Sequence, residues 1–328
     1  MEKKIVFPED FWWGSAWSAE QSEGTGDTGK AETIWKRWFS EEPNRFYDRI
    51  GPDVTTDHFN RYKDDIRLMK ETGHNSFRLS LSWARLFPDG GRGEINRKAV
   101  DFYRDLMSEM IKNDIKPFIN LYHFDMPMKL QELGGWASRE TVEAYVNYAV
   151  SCFKEFGDLG YHWFTSNEPL GPILGTYLED FHYPNFIDFK EGAQAAFYTI
   201  LAHAKAIKEF KKLNLKSKIG VILNLSPTYP RSSNKWDTEA AETADAFYTR
   251  SFLDPMVKGT FNKKLVSILK EYDQMPDYTE EDLKIISENT AQILGLNYYE
   301  PRRVKARLTA VNKNSPFLPE CFFELHNR

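Results

Sequence analysis

The sequence predicts an α/β fold, a (β/α)8 TIM barrel rather than an open doubly wound sheet, on three observations. Six short, nearly continuous apolar or aromatic runs alternate with long helical periodicities, the pattern of parallel strands buried on both faces. No G-x-G-x-x-G follows the first run and no G-x-x-x-x-G-K-[ST] occurs, which removes the main sequence support for dinucleotide or phosphate-loop binding. Polar residues gather just past the C-terminal ends of several different runs, and barrels assemble their active sites from those ends.

In chain order, the runs predict strands over Phe11–Trp17, Ser76–Ser82, Lys116–Tyr122, Tyr161–Thr165, Ile219–Asn224 and Ile293–Tyr298. The helices lie between them. Asp57–Thr72 carries Phe59, Tyr62, Ile66 and Met69 on one stripe, with Gly73 placed to end it. Asn96 is the cap residue of Asn96–Asn113, whose buried stripe is Val100, Tyr103, Met107 and Met110. Ser138 is expected to cap the next helix, which runs to Gly157. Lys190–Leu213 is long and rich in Ala, and Thr279 with Asp282 forms a capping-box pattern before Glu280–Glu288. The segment 227–237 (PTYPRSSNKWD) reads as a loop after the fifth strand. No internal repeat or linker divides the 328 residues, which one α/β barrel can use entirely.

Composition narrows the function. Hydrophobic residues are 41% and charged residues 28%, an ordinary globular mix with material for a core. Forty-three Lys and Arg against 48 Asp and Glu give a net charge of −5, so nothing points to nucleic acid or an anionic membrane. Cys152 and Cys321 form neither a disulfide framework nor a zinc pattern. The start, MEKKIVFPED, is too short in apolar residues for a secretory signal. The expectation is a soluble, cytoplasmic protein.

The strand ends carry the candidate chemistry. Gln21 follows the first strand, Trp83 the second, His123 and Asp125 the third, Asn167 and Glu168 the fourth, and Asn297 and Tyr299 the sixth. A carboxylate ending an apolar strand among aromatics is partly desolvated, which suits it to donate a proton near neutral pH. Asn167 beside it offers two donors and an acceptor to a hydroxylated substrate. Each has a plainer reading: Glu168 paired with a buried Arg such as Arg78, His123 as a satisfied core histidine, Tyr299 as a core tyrosine, Gln21 as a loop residue. Trp83 and Trp136 read as packing, the other six histidines as structural or surface. Arg302, Arg303, Lys305 and Arg307 read as a solvated face rather than a phosphate site.

Five ordered segments, FPEDFWWGSAWSAEQSEG, FRLSLSWARLFP, NLYHFDMP, WFTSNEP and LGLNYYEP, resemble glycoside hydrolase family 1 from Phe7 to Phe323. GSAWSAEQSEG, YHFDMP and NYYEPRRVKA are most similar to its bacterial 6-phospho-β-glucosidases. The resemblance implies a barrel fold, no metal or organic cofactor, and retaining hydrolysis of a small β-glycoside, 6-phosphorylated by its bacterial sub-family. It implies Glu168 as acid/base, Asn167, Gln21 and His123 as glycone contacts, and Arg78, Asn297 and Tyr299 as supports of the nucleophile. Phe124 stands where many relatives carry Trp.

The family's nucleophile is the Glu of a Thr/Ser-Glu-Asn-Gly motif ending the seventh strand. The segment 287–290, SENT, comes closest, but it lacks the Gly and precedes the sixth strand. The expectation is therefore a single, C-terminally incomplete catalytic domain over 1–328, with about six of eight βα units and no turnover by itself. Two alternatives stand beside 6-phospho-β-glucosidase: a β-glucosidase of unphosphorylated sugars, and a non-hydrolytic carbohydrate-binding fragment.

Overall fold

A computed structural model describes residues 5–91, 93–309 and 316–326. In chain order its strands are β1 (Gly14–Ala16), β2 (Ser76–Ser80), β3 (Lys116–Tyr122), β4 (His162–Asn167), β5 (Ile219–Asn224), β6 (Thr228–Pro230), β7 (Ile293–Asn297), β8 (Arg302–Lys305) and β9 (Glu324–Leu325). Six of them form one parallel sheet in the order β1-β2-β3-β4-β5-β7. All six expected runs are its strands. The sheet curls into a half-barrel, with β1 and β7 at its edges among the described residues.

Period-two alternation sorts the side chains. Phe77, Leu79, Ile119, Leu121, Trp163 and Val221 face outward into the main core. The helices Arg97–Lys112, Arg139–Phe156 and Phe189–Lys212 supply its other side. Phe118, Phe164 and Ile222 face the concave side, with Ile293 against them. Burying chains of this size contributes about 1.5–3 kcal/mol each, so the outer layer holds the sheet to its helices. On β7 the outer residues Leu294 and Leu296 are exposed, Leu296 by 57%.

The helix signals hold with one correction. The side chains of Asn96 and Asp188 accept from the backbone three residues on, and Thr279 and Asp282 form a reciprocal capping box. Gly73 takes a positive φ of 85° after its helix. Ser138 does occupy the cap position, but its side chain makes no capping bond.

The expected loop 227–237 is the main difference. Thr228–Pro230 pairs in parallel with β8, and β8 pairs antiparallel with β9. This second sheet covers a separate small core containing Val304, Phe323 and Phe247. It also corrects the solvated-face reading of the basic run. Arg302 stacks over the Tyr248 ring at 4.1 Å, Lys305 pairs with Glu324 at 2.8 Å, and Arg307 donates to the Glu320 carbonyl at 2.6 Å. No helix among the described residues is long and apolar enough to cross a membrane.

Candidate active site

The site grows from an irregularity in β4. Phe164 pairs with Gly220, but Asn167 pairs with Ile222, so β4 uses one residue more than β5 over the same interval. Such a bulge re-aims side chains. Here it ends with the Glu168 amide donating to the Ile222 carbonyl at 2.8 Å and the Gly171 amide donating to the Glu168 carbonyl at 2.8 Å. Glu168 has a φ of +45°, a conformation few non-glycine residues adopt and one that functional sites concentrate.

The bulge delivers Asn167 and Glu168 to side chains from three other strands. Asn167 Oδ1 accepts from Arg78 Nη1 at 3.2 Å and from Asn297 Nδ2 at 3.0 Å. Its Nδ2 donates to His123 Nε2 at 3.2 Å. Asn297 Nδ2 also reaches Glu168 Oε1 at 2.5 Å, and Tyr299 Oη donates to the same oxygen at 3.4 Å. Arg78 Nη1 makes a further bond to Asn297 Oδ1 at 3.3 Å. Six of the seven expected site residues thus form one cluster. Glu168 is engaged by Asn297 and Tyr299, and Arg78 bonds to the two asparagines rather than to Glu168.

Gln21, the seventh, lies apart from that bond network. It is exposed in the short helix Ala19–Ser22, where its Oε1 accepts from Ser18 Oγ at 2.7 Å. The segment still sits over the same sheet end, because the Ala19 amide donates to Ser80 Oγ at 2.7 Å and the Trp17 amide to the Arg78 carbonyl at 2.8 Å. Its neighbour Glu20 is buried and holds Lys30 and Thr33 at 2.7 Å each. Trp83 and Trp136 are buried packing residues, Trp83 stacking on Tyr148. The segment 287–290 lies at a helix end that precedes β7, away from the mouth.

Burial, with the Arg78 charge adding to it, pulls His123 down to about 3, so its ring is neutral. Nε2 accepts from Asn167, which assigns the ring proton to Nδ1. Burial also lowers Arg78, against the raising effects of Glu168 and Tyr299. Burial raises Tyr299, with Glu168 adding to it. Asp125 is fully buried and raised to about 7, first by burial and then by Glu20. Its two oxygens accept from the Trp83 amide at 3.0 Å and the His123 amide at 3.4 Å, fixing the turn that presents His123. In that turn Phe124 has a φ of +68°, and Trp35 Nε1 donates to its carbonyl at 2.9 Å.

Several buried polar atoms at this end of the sheet have no hydrogen-bond partner among the described residues. They include Arg78 Nε, Asn120 Oδ1, His123 Nδ1, Ser166 Oγ and Asn224 Oδ1. Buried polar atoms are normally matched, so these can accept or donate to a polar group or water bound at the mouth. Sequence reading did not single out Asn120, Ser166 or Asn224. The available signal was a polar residue inside or ending an otherwise apolar strand. Among the described residues no second Asp or Glu bonds to the side chains of this cluster, Asp125 reaching only the His123 backbone amide, and no group of three or more His, Cys, Asp or Glu is placed to hold a metal ion.

The model of the family described as glycosyl hydrolase family 1 matches residues 3–317. A 6-phospho-β-glucosidase of Bacillus subtilis, GmuD, is 57% identical over 319 residues, 97% of this chain and 68% of that protein. β-Glucosidase A of Acetivibrio thermocellus is 40% identical over 304 residues, 92% of this chain and 67% of that protein. Among solved structures, the virulence factor SghA of Agrobacterium tumefaciens superposes with a TM-score of 0.90 at 34% identity, over 98% of this chain and 70% of that one.

Proposed function

The chain belongs to glycosyl hydrolase family 1, and from that premise we propose that it carries the acid/base half of a retaining site for 6-phospho-β-glucosides. The supporting observation is the convergence of Asn297 and Tyr299 on one oxygen of Glu168 at a bulged strand end. Both donors reach Oε1. Oε2 has no hydrogen-bond partner among the described residues, so it is the oxygen free to hold and pass the proton.

In the first step Glu168 protonates the glycosidic oxygen as the bond to the anomeric carbon breaks, while a second carboxylate attacks that carbon from the opposite face. In the second, Glu168 takes a proton from water, and the hydroxide displaces the carboxylate. Asn167, His123 and Gln21 hold glycone hydroxyls. Arg78, Asn297 and Tyr299 support the attacking carboxylate. Double displacement needs the carboxylates about 5–5.5 Å apart, and no described Asp or Glu other than Glu168 bonds to the side chains of the cluster. We therefore read the lone 328-residue polypeptide as inactive, a single domain contributing about six of eight βα units. The free Cys152 and Cys321 suit a reducing, cytoplasmic compartment.

The phosphorylated glycone is supported by the 57% identity to a protein named 6-phospho-β-glucosidase. The unphosphorylated reading is supported by the 40% identity to β-glucosidase A. The test is turnover of 4-nitrophenyl β-glucoside and its 6-phosphate by the chain alone, and by the chain supplemented with the remaining third of the Bacillus subtilis relative. Activity only in the supplemented sample, with the phosphate preferred, is expected. Robust turnover by the lone monomer overturns the inactive reading, and preference for the free sugar overturns the phosphate reading.

A further inference from the structure

We propose that an apolar cavity beside the site, built by helices rather than by the strand ends, binds a medium-chain carboxylate. The cavity has a volume of about 280 Å3. Leu170 forms part of its wall, two residues beyond Glu168, and Phe197, Phe252, Leu265 and Leu269 line it from three further helical segments. It lies where the main core meets the smaller one, and Leu170 packs against both.

Three features specify the occupant. Protein interiors are packed with few voids larger than a water molecule, and an apolar cavity of about 150 Å3 already takes benzene. A volume of about 280 Å3, open on one side, has room for a group larger than benzene, and its lining calls for hydrocarbon. At about 30 Å3 for a water-sized group, it accommodates a tail of about eight to ten carbons. At the rim stands the exposed Lys270, which has no carboxylate partner among the described residues. Asp273, three residues on, lies 3.8 Å from Lys190. One unpaired ammonium over an apolar hole matches a single-tailed monoanion, and a carboxylate head completes the pair without drawing charge into the hole.

The test is calorimetric titration of the full chain with decanoate, with decanol as the uncharged control. One saturable site per chain is expected. Ala196→Phe and Val266→Trp each place an aromatic ring in the cavity and should weaken decanoate binding at least tenfold, with thermal unfolding confirming that each variant is folded. Lys270→Glu should weaken decanoate by up to about fivefold, the upper end for an exposed ion pair, and leave decanol unchanged. The proposal is overturned by non-saturating uptake, by decanoate binding that survives both filling variants, or by equal losses of decanoate and decanol in Lys270→Glu. It is also overturned if the chain self-associates and Val266→Trp abolishes that association, since the cavity would then be covered by a second copy.

Discussion

Replacing Glu23 by Gln removes one negative charge from the most deeply buried ion pair among the described residues and tests what holds the Gln21 segment in place. Arg85 is 0% exposed, and its Nε lies 3.0 Å from Glu23 Oε2. The guanidinium also donates to the carbonyls of Gly24 and Thr25 and to Thr28 Oγ1, while Tyr103 Oη donates to Glu23 Oε1 at 2.8 Å. Burial works to lower Arg85, but Glu23 and Tyr103 outweigh it and the net shift is upward, so the arginine stays charged. Gln fills the same volume and creates no cavity, so the loss is electrostatic. An uncompensated buried charge costs about 3–5 kcal/mol. At roughly 2.1 cal/mol/K per residue, 328 residues have an unfolding entropy of ~0.7 kcal/mol/K, which converts that loss into a fall of about 4–7 °C in Tm. The assay is thermal unfolding of Glu23→Gln, Arg85→Met and the double variant. The double variant should recover most of the loss, because no lone charge remains inside. A Glu23→Gln change below about 1 °C, or a double variant as unstable as the sum of the singles, would refute the reasoning.

In the supplemented protein, Glu168→Gln should cut hydrolysis of unactivated glycosides by about 10²–10⁴, with a smaller loss on activated aryl leaving groups; equal losses in steady-state kinetics would remove it from the acid/base role. Burial first of all holds His123 at about 3 and His182 and His203 at about 4, and holds Asp125 up at about 7. Near pH 5 the unfolded chain binds about three protons that the folded histidines refuse, and the fold keeps about one on Asp125. The net of about two makes stability fall on acidification by ~2.7 kcal/mol per pH unit from these groups, measurable as urea midpoints at about pH 5 and pH 6; a flat profile contradicts it. A Cβ at Gly220 would lie 1.6 Å from the Ile293 carbonyl oxygen, so Gly220→Ala should displace β7 and strip hydrogen-exchange protection from 293–297, and retained protection would count against this pairing.

The six sheet strands were legible because Lys116–Tyr122 and Ile219–Asn224 are long enough for their composition to speak. The second sheet was not. Its strands TYP, RRVK and EL have three, four and two residues and mixed polarity, too short for any period to register. The basic run was misread for the same reason: Arg302 becomes structural only through Tyr248, more than fifty positions away. Asn167 and Glu168 were visible as polar residues ending an apolar strand. Their partners were not derivable from spacing, because they depend on the register shift between Phe164 and Asn167. Ser138 shows the limit of local rules: the residue type and position fit a cap, yet the hydroxyl makes no capping bond.

The two left-handed residues of the mouth explain why its chemistry depends on the whole sheet. Glu168 and Phe124 both adopt positive φ, each at a cost of order 1–3 kcal/mol. Neither is held by its own strand alone. The Ile222 carbonyl on β5 receives the Glu168 amide, and Trp35, from the helix Ile34–Glu41, donates to the Phe124 carbonyl. Asn297 from β7 then fixes the Glu168 side chain. Backbone strain at the candidate acid/base is thus supported by β5 and its carboxylate is oriented by β7, an edge strand whose Leu294 and Leu296 lie exposed. Loosening that edge would release Glu168 before it disturbed the core between the helices and β2–β4, so the geometry of the site should fail ahead of the fold.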